Sequence, residues 1–156
     1  MAKFQAFTLR NVVPCVLVCL LALVHGNVWA ETTGAKNTSR AELVTQFQVA
    51  FNHHDADAMA ELVTKDIVWY GIDGTKLTKD LSGRSALRTA MNDYFQNCPS
   101  CRSQIGDIIA SKDRASVVET AYWENDNGPQ SQQSIAVYEF TGSLIKAIYY
   151  FPSEAN

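Results

Sequence analysis

Apolar side chains recur at two different spacings along this chain, and the change between them divides it into a helical part and a strand part. From Ser39 to Asn52, the residues Leu43, Phe47, Ala50 and Phe51 return at three- and four-residue intervals, the spacing of a helix with one buried stripe. Ser39, followed three residues later by Glu42, forms a capping box that starts this helix. Met59, Leu62 and Val63 mark the apolar side of a second helix, which Asp55 or Asp57 can cap. Ser82 or Gly83 opens a third, with Leu87, Met91, Tyr94 and Phe95 on one face. Between the second and third, "DIVWYG" (66–71) is β-branched and aromatic and stops at glycine, which predicts a strand, and "IDGTKLTKD" (72–80) reads as turn and loop. After Cys101 the period shortens. "CRSQIGDIIAS", "RASVVETAYWEN", "SQQSIAVYEFTG" and "LIKAIYYF" are strand-like segments separated by Lys112-Asp113, "DNGP" and Thr141-Gly142, and such short links predict antiparallel neighbours. Helices followed by a meander of strands predict an α+β fold with the helices on one face of the sheet. The late strands carry large residues on both faces, which predicts a second cover on the other side, namely another subunit.

The first 30 residues follow a different pattern. Lys3 and Arg10 precede an apolar run of 13 residues, Val12 to Val24, and Val28 and Ala30 are suitably small before a cut at Glu31. This is the pattern of a secretory signal peptide over 1–30. The run is too short for a spanning helix, which needs about 20 residues. The expected product is a secreted or periplasmic chain with no membrane attachment. It has a polar flexible leader over 31–38 and one domain over 39–156. Loss of Lys3 and Arg10 leaves 11 basic residues against 16 acidic, a net charge of −5. With no basic stripe to neutralise phosphates, nucleic acid is excluded as a partner. Asn37-Thr38-Ser39 is a glycosylation sequon, meaningful only in a eukaryotic secretory pathway.

Cys15 and Cys19 leave with the signal, and Cys98 and Cys101 remain in "NCPSC". In an oxidising compartment these two are expected to pair. A redox-active C-x-x-C usually places its first cysteine at a helix N-terminus, where the dipole favours thiolate, whereas this pair follows a helix. Unpaired or metal-bound thiols remain alternatives, although two cysteines fall short of the four ligands of structural zinc.

The densest polar cluster is "FNHHDADAMAELV" (51–63). His53 and His54 are adjacent and cannot point the same way from a helix end, and no third ligand is spaced to join them. The cluster therefore reads as a turn with a helix cap, and the expected metal is none.

The stretches "FNHHDADAMAELVTKDIVWYG", "LSGRSALRTAMNDYF" and "SIAVYEFTGSLIKAIYYFP" resemble the SnoaL-like branch of the NTF2-like superfamily, over about residues 40–152. The resemblance implies a cone: three N-terminal helices packed on a strongly curved, mostly antiparallel sheet, with a pocket inside and frequent homodimers. Relatives of this fold include ketosteroid isomerases, polyketide cyclases, dehydratases and epoxide hydrolases, and others only bind, so the fold alone does not decide function. In the ketosteroid isomerase pattern the donor tyrosine falls on Phe47, the general base on Gly71 and the second acid on Ala136, so that machinery is missing here. Asp73 could replace the base but sits in an Asp-Gly turn.

If the match holds, Val117, Glu119, Ala121 and Trp123 point inward. Glu119 is then a lone carboxylate on an apolar wall, suited to general acid or base work. Tyr138 and Tyr149 offer hydroxyls, and Phe47, Trp69, Ala136, Ala147 and Phe151 complete the expected wall. Arg84 is expected at the surface or a dimer contact, and Lys146 away from the pocket. The expected function is binding of a small apolar molecule without a cofactor. One rival is a cofactor-independent isomerase, cyclase or dehydratase using Glu119 with Tyr138 or Tyr149, and another is a dimeric association module with a filled cone.

Overall fold

The structure, a computed structural model, describes residues 39–155. The expected signal peptide, its cleavage site, Cys15, Cys19 and the whole leader lie outside the described residues.

Ser39 caps α1 (Arg40–Asn52) with both halves of the box in place. Its hydroxyl accepts from the Glu42 N–H at 3.1 Å, and the Glu42 carboxylate accepts from the Ser39 N–H at 2.8 Å. Asp55, not Asp57, caps α2 (Ala56–Glu61), accepting from the Ala58 N–H at 2.8 Å. The third helix, α3 (Arg84–Asn97), follows Gly83 at φ 96° without a side-chain cap. Its first turn is fixed by Arg84, whose guanidinium donates to the carbonyl of Val63. Arg84 is therefore an internal tie between helix and sheet, not the surface or dimer contact its position suggested.

The sheet comprises β1 (Val63–Asp73), β2 (Lys76–Ser82), β3 (Arg102–Ile105), β4 (Ile109–Ala110), β5 (Arg114–Asn125), β6 (Gly128–Thr141), β7 (Leu144–Tyr150) and β8 (Glu154–Ala155). Its order is β2-β1-β7-β6-β5-β3, with β4 also on β5 and β8 on β6. The β1–β7 pair is parallel and the others are antiparallel. Of the expected loop 72–80, residues 76–80 are strand, as part of β2. All residues of β2 but Leu81 are exposed, so burial leaves little trace in their sequence. Backbone pairing to β1, through a hairpin with Gly74 at φ 58°, defines the strand. The turn expected at "DNGP" contracts to Asp126-Asn127, because Asn125 pairs with Gly128.

The apolar stripes of the helices meet the concave face of the sheet. Val44 and Met59 from the helices and Val63, Ile67, Ile145 and Ile148 from the strands are fully buried there, together with Leu87 of α3. Opposite faces of β5 and β6 differ sharply. Val117 and Ala136 pair on the buried side, whereas Val118 and Ile135 pair on the convex side and are 46% and 50% exposed.

The register of β7 is interrupted. Phe140 faces Ile145 but Glu139 faces Ala147, so β7 holds one residue more than β6 across this step. A bulge of this kind reverses which side chains face inward beyond it. Ile145 points into the core before the bulge, and Ile148 and Tyr150 point inward after it.

Candidate functional site

A cavity of about 210 Å³ remains between the helices and the concave face. α1 contributes Phe47, Gln48 and Phe51, and α3 contributes Met91 and Tyr94. The sheet contributes Trp69 from β1, Glu119 and Ala121 from β5, Tyr138 from β6 and Tyr150 from β7. Period-two alternation along β5 sends Val117 into the filled core and the next two inward residues, Glu119 and Ala121, to the cavity. Six of the ten lining residues are aromatic rings. Trp69 stacks on Tyr150 with centroids 5.1 Å apart, and Phe47 meets Tyr138 edge-on at 6.2 Å.

One wall of the cavity is polar. The Tyr150 hydroxyl donates to one Glu119 oxygen and the Ser103 hydroxyl to the other. Ser103 is buried on β3 and held from behind by α1. Its N–H donates to the Asn52 side-chain carbonyl at 2.7 Å, and its own carbonyl accepts from the Asn52 amide at 2.8 Å and from Gln48. Tyr138 interacts with the Tyr150 hydroxyl from the other side. Burial first, and the negative charge of Glu119 second, push ionisation of Tyr138 well above the usual tyrosine range, with its contact to Tyr150 opposing. Burial, then Tyr138 and Glu119, do the same to Tyr150, and burial and Glu119 raise Tyr94. These three hydroxyls stay protonated at neutral pH, with the Tyr150 proton given to Glu119 and the Tyr94 proton to Cys101 Sγ.

Residues 44–148 match the family model described as a SnoaL-like domain. The chain belongs to the SnoaL-like domain family. No curated protein matches it. Among solved structures it is similar to an uncharacterised cystatin-fold protein from Novosphingobium aromaticivorans (19% identity, TM-score 0.64), covering 73% of this chain and 98% of that one. It is also similar to an NTF2-like protein of unknown function from Cytophaga hutchinsonii (14%, TM-score 0.55, covering 70% and 95%). A third is a provisional polyketide cyclase from Xanthomonas campestris pv. campestris (19%, TM-score 0.54, covering 72% and 88%). At these identities the likeness establishes the NTF2-like cone and not an activity.

In this SnoaL-like domain, Phe47, Trp69, Glu119, Ala121 and Tyr138 come together around the cavity as the sequence suggested. Val117 and Ala136 lie in the closed core behind it. Trp123 is on the same face two residues beyond Ala121, part-exposed and not among the lining residues. Tyr149, Ala147 and Phe151 are displaced by the β7 bulge. Tyr149 stacks on Tyr70 and reaches Glu139 at 3.5 Å, Ala147 lies opposite Glu139, and Phe151 is 40% exposed on the convex side. Tyr150 takes the place expected of Tyr149. Lys146 faces outward and pairs with Glu139. Gly71 carries no side chain that could act as a base, the Asp80 carboxylate lies 2.7 Å from where one would begin, and Asp73 is exposed at the hairpin.

The polar cluster at 52–55 is scaffold. Asn52 clamps Ser103. His54, at φ 56°, lays its ring on Phe95 at 4.5 Å and meets the Cys101 carbonyl at 3.0 Å and the Arg102 guanidinium at 2.6 Å. His53 is exposed, and Asp55 caps α2. Cys98 and Cys101 form a disulfide, and the Tyr94 hydroxyl donates to Cys101 Sγ at 3.2 Å. The segment "NCPSC" thus ties the end of α3 to the start of β3 beside the cavity. Gln48, Asn52 and Ser103 are polar residues at helical and strand edges, and no apolar periodicity marks them.

Proposed function

We propose that this protein is an exported SnoaL-like domain that binds one small, largely apolar molecule in the cavity between α1, α3 and the sheet. The supporting observation is the cavity itself, with its ring-lined wall and a single polar patch at Glu119, Tyr150 and Tyr138. An apolar wall supplies affinity through area removed from water, about 25 cal/mol per Å² before ordering costs. The fixed polar groups orient the ligand. The same cavity disfavours an association module with a filled cone. Native mass spectrometry of the protein purified from its own host tests the reading. A retained small molecule, on a chain beginning at Glu31, is the expected result. An empty protein that also binds nothing in an apolar-ligand screen ends it.

The chain acts as a secreted or periplasmic homodimer in this proposal. Val118 and Ile135, adjacent and half-exposed on the convex face, are the side chains a second copy would cover. Sedimentation of Ile135→Glu as a monomer, beside a dimeric wild type, is the expected outcome, and a wild-type monomer removes the idea.

One contact favours a second reading, a cofactor-independent isomerase, cyclase or dehydratase. Tyr150 donates to Glu119, so a carboxylate able to move a proton sits beside a hydroxyl able to steady an oxyanion. For a retained carbonyl ligand, exchange of its α-protons with D₂O would depend on Glu119. Equal exchange in Glu119→Gln removes this reading.

A further inference from the structure

The charge of the cavity narrows what it can hold. Among the described residues Glu119 is its one carboxylate, and the lining includes no lysine, arginine or histidine. Both partners of the carboxylate are neutral hydroxyls, those of Ser103 and Tyr150. Each oxygen accepts one hydrogen bond from them and keeps a second lone pair free. Gln48 adds another acceptor. Its amide nitrogen contacts the Ser103 carbonyl and the Ser103 hydroxyl at 3.3 Å. A carbonyl can only accept, so that contact fixes the amide nitrogen on Ser103 and leaves the side-chain oxygen for the cavity. The remaining wall is mostly ring carbon, whose faces are electronegative.

Resting on the reading that this cavity binds a small molecule, we infer that its ligand is a small organic cation, a protonated amine carried on one ring or a short apolar chain. A carboxylate with no counter-cation among the described residues supplies the opposite charge, and the surrounding Trp69, Tyr94 and Tyr150 supply the ring environment in which ammonium groups are held. An ammonium has three protons to place, and the free lone pairs of Glu119 and the Gln48 oxygen are acceptors for them. Glu119 is part-buried, so its charge is only partly screened by water, and a ligand that pairs with it is favoured over a neutral one, and an anion is disfavoured. Size sets the rest. A cavity of about 150 Å³ holds benzene, so about 210 Å³ holds one ring with a short substituent.

The test is a matched series titrated calorimetrically into the purified full-length processed protein: 2-phenylethylammonium, 2-phenylethanol and phenylacetate. The expected order is the ammonium at least tenfold tighter than the alcohol, with no measurable binding of the carboxylate. Glu119→Gln keeps the shape and removes the charge, and it should bring ammonium and alcohol to within about threefold of each other. Wild-type titrations alone keep the inference refutable if that variant fails to fold. An alcohol that binds as tightly as the ammonium overturns the cation assignment and leaves the cavity reading standing. An ammonium preference unchanged in Glu119→Gln overturns the role of Glu119. Failure of all three probes overturns the cavity reading and this inference together.

Discussion

Asn52→Ala tests whether the polar wall is built from α1. Ser103 lies on β3, the last strand of the sheet, and its N–H points away from β5 toward α1. The Asn52 side chain meets it as a neighbouring peptide group would, giving one acceptor and one donor at 2.7 and 2.8 Å. In effect it covers the edge of the sheet. Alanine removes both bonds, and the losses differ. The Ser103 carbonyl still has Gln48, so its loss is that of an ordinary hydrogen bond, about 0.5–1.5 kcal/mol. The N–H has no second acceptor, and a part-buried donor left unpaired costs about 1–2 kcal/mol. The sum is roughly 1.5–3.5 kcal/mol, or about 6–14 °C in Tm for a domain of this size. Urea unfolding followed by far-UV circular dichroism measures it, with Gln48→Ala as the internal comparison. Gln48→Ala leaves the carbonyl its Asn52 donor and should cost less than about 1 kcal/mol. An Asn52→Ala protein within 0.5 kcal/mol of wild type, or a Gln48→Ala protein less stable than Asn52→Ala, refutes this account of the wall.

Asp55→Ala removes the cap of α2 and should lower stability by about 1 kcal/mol in the same urea assay, with Asp55→Asn recovering most of it. Reducing Cys98–Cys101 with a dithiol should cost about 2 kcal/mol, the chain-entropy value for so short a loop, read as a Tm difference with and without reductant. Alkaline pH should destabilise the fold. Tyr138 and Tyr150 hold their protons above the usual range when folded, so between the unfolded value near 10 and the raised folded values the native state binds more protons than the unfolded state. Their contribution is complete below pH 10 and falls as pH rises beyond it, and urea midpoints unchanged between pH 9 and 11 would contradict this.

Periodicity carried the fold a long way. The stripe of Leu43, Phe47 and Ala50, the capping box at Ser39 and Glu42, and the alternation from Val117 to Ala121 mark elements that formed where expected, because burial decides those positions. Two features left little apolar trace. β2 is almost wholly exposed, and its existence depends on backbone pairing that any polar sequence can make. The bulge in β7 has no side-chain signature either, since Lys146 points outward on both the regular and the bulged path. The two paths diverge only at Ala147, where the regular one sends Ala147, Tyr149 and Phe151 inward and the observed one sends Ile148 and Tyr150. "AIYYF" is apolar at every position and fits both. The result is an error of one residue in naming the tyrosine beside Glu119, though the strand itself was legible.

Whether the space in the cavity is kept for a ligand is testable through Ala121→Leu. Ala121 is the smallest side chain in the wall, on the inward face of β5 next to Glu119 and opposite Ser103. A domain whose interior only held the fold together would gain by filling the space. Leucine adds three carbons, each worth about 0.8 kcal/mol when buried, against the entropy of fixing the new side chain. The expected outcome is a protein at least as stable as wild type by urea unfolding that has lost tenfold or more in affinity for 2-phenylethylammonium. Stability and binding would then pull in opposite directions at one residue, as they do where space is kept for a ligand. A loss of more than 2 kcal/mol would mean that the leucine finds no room and that the wall is already closed at Ala121.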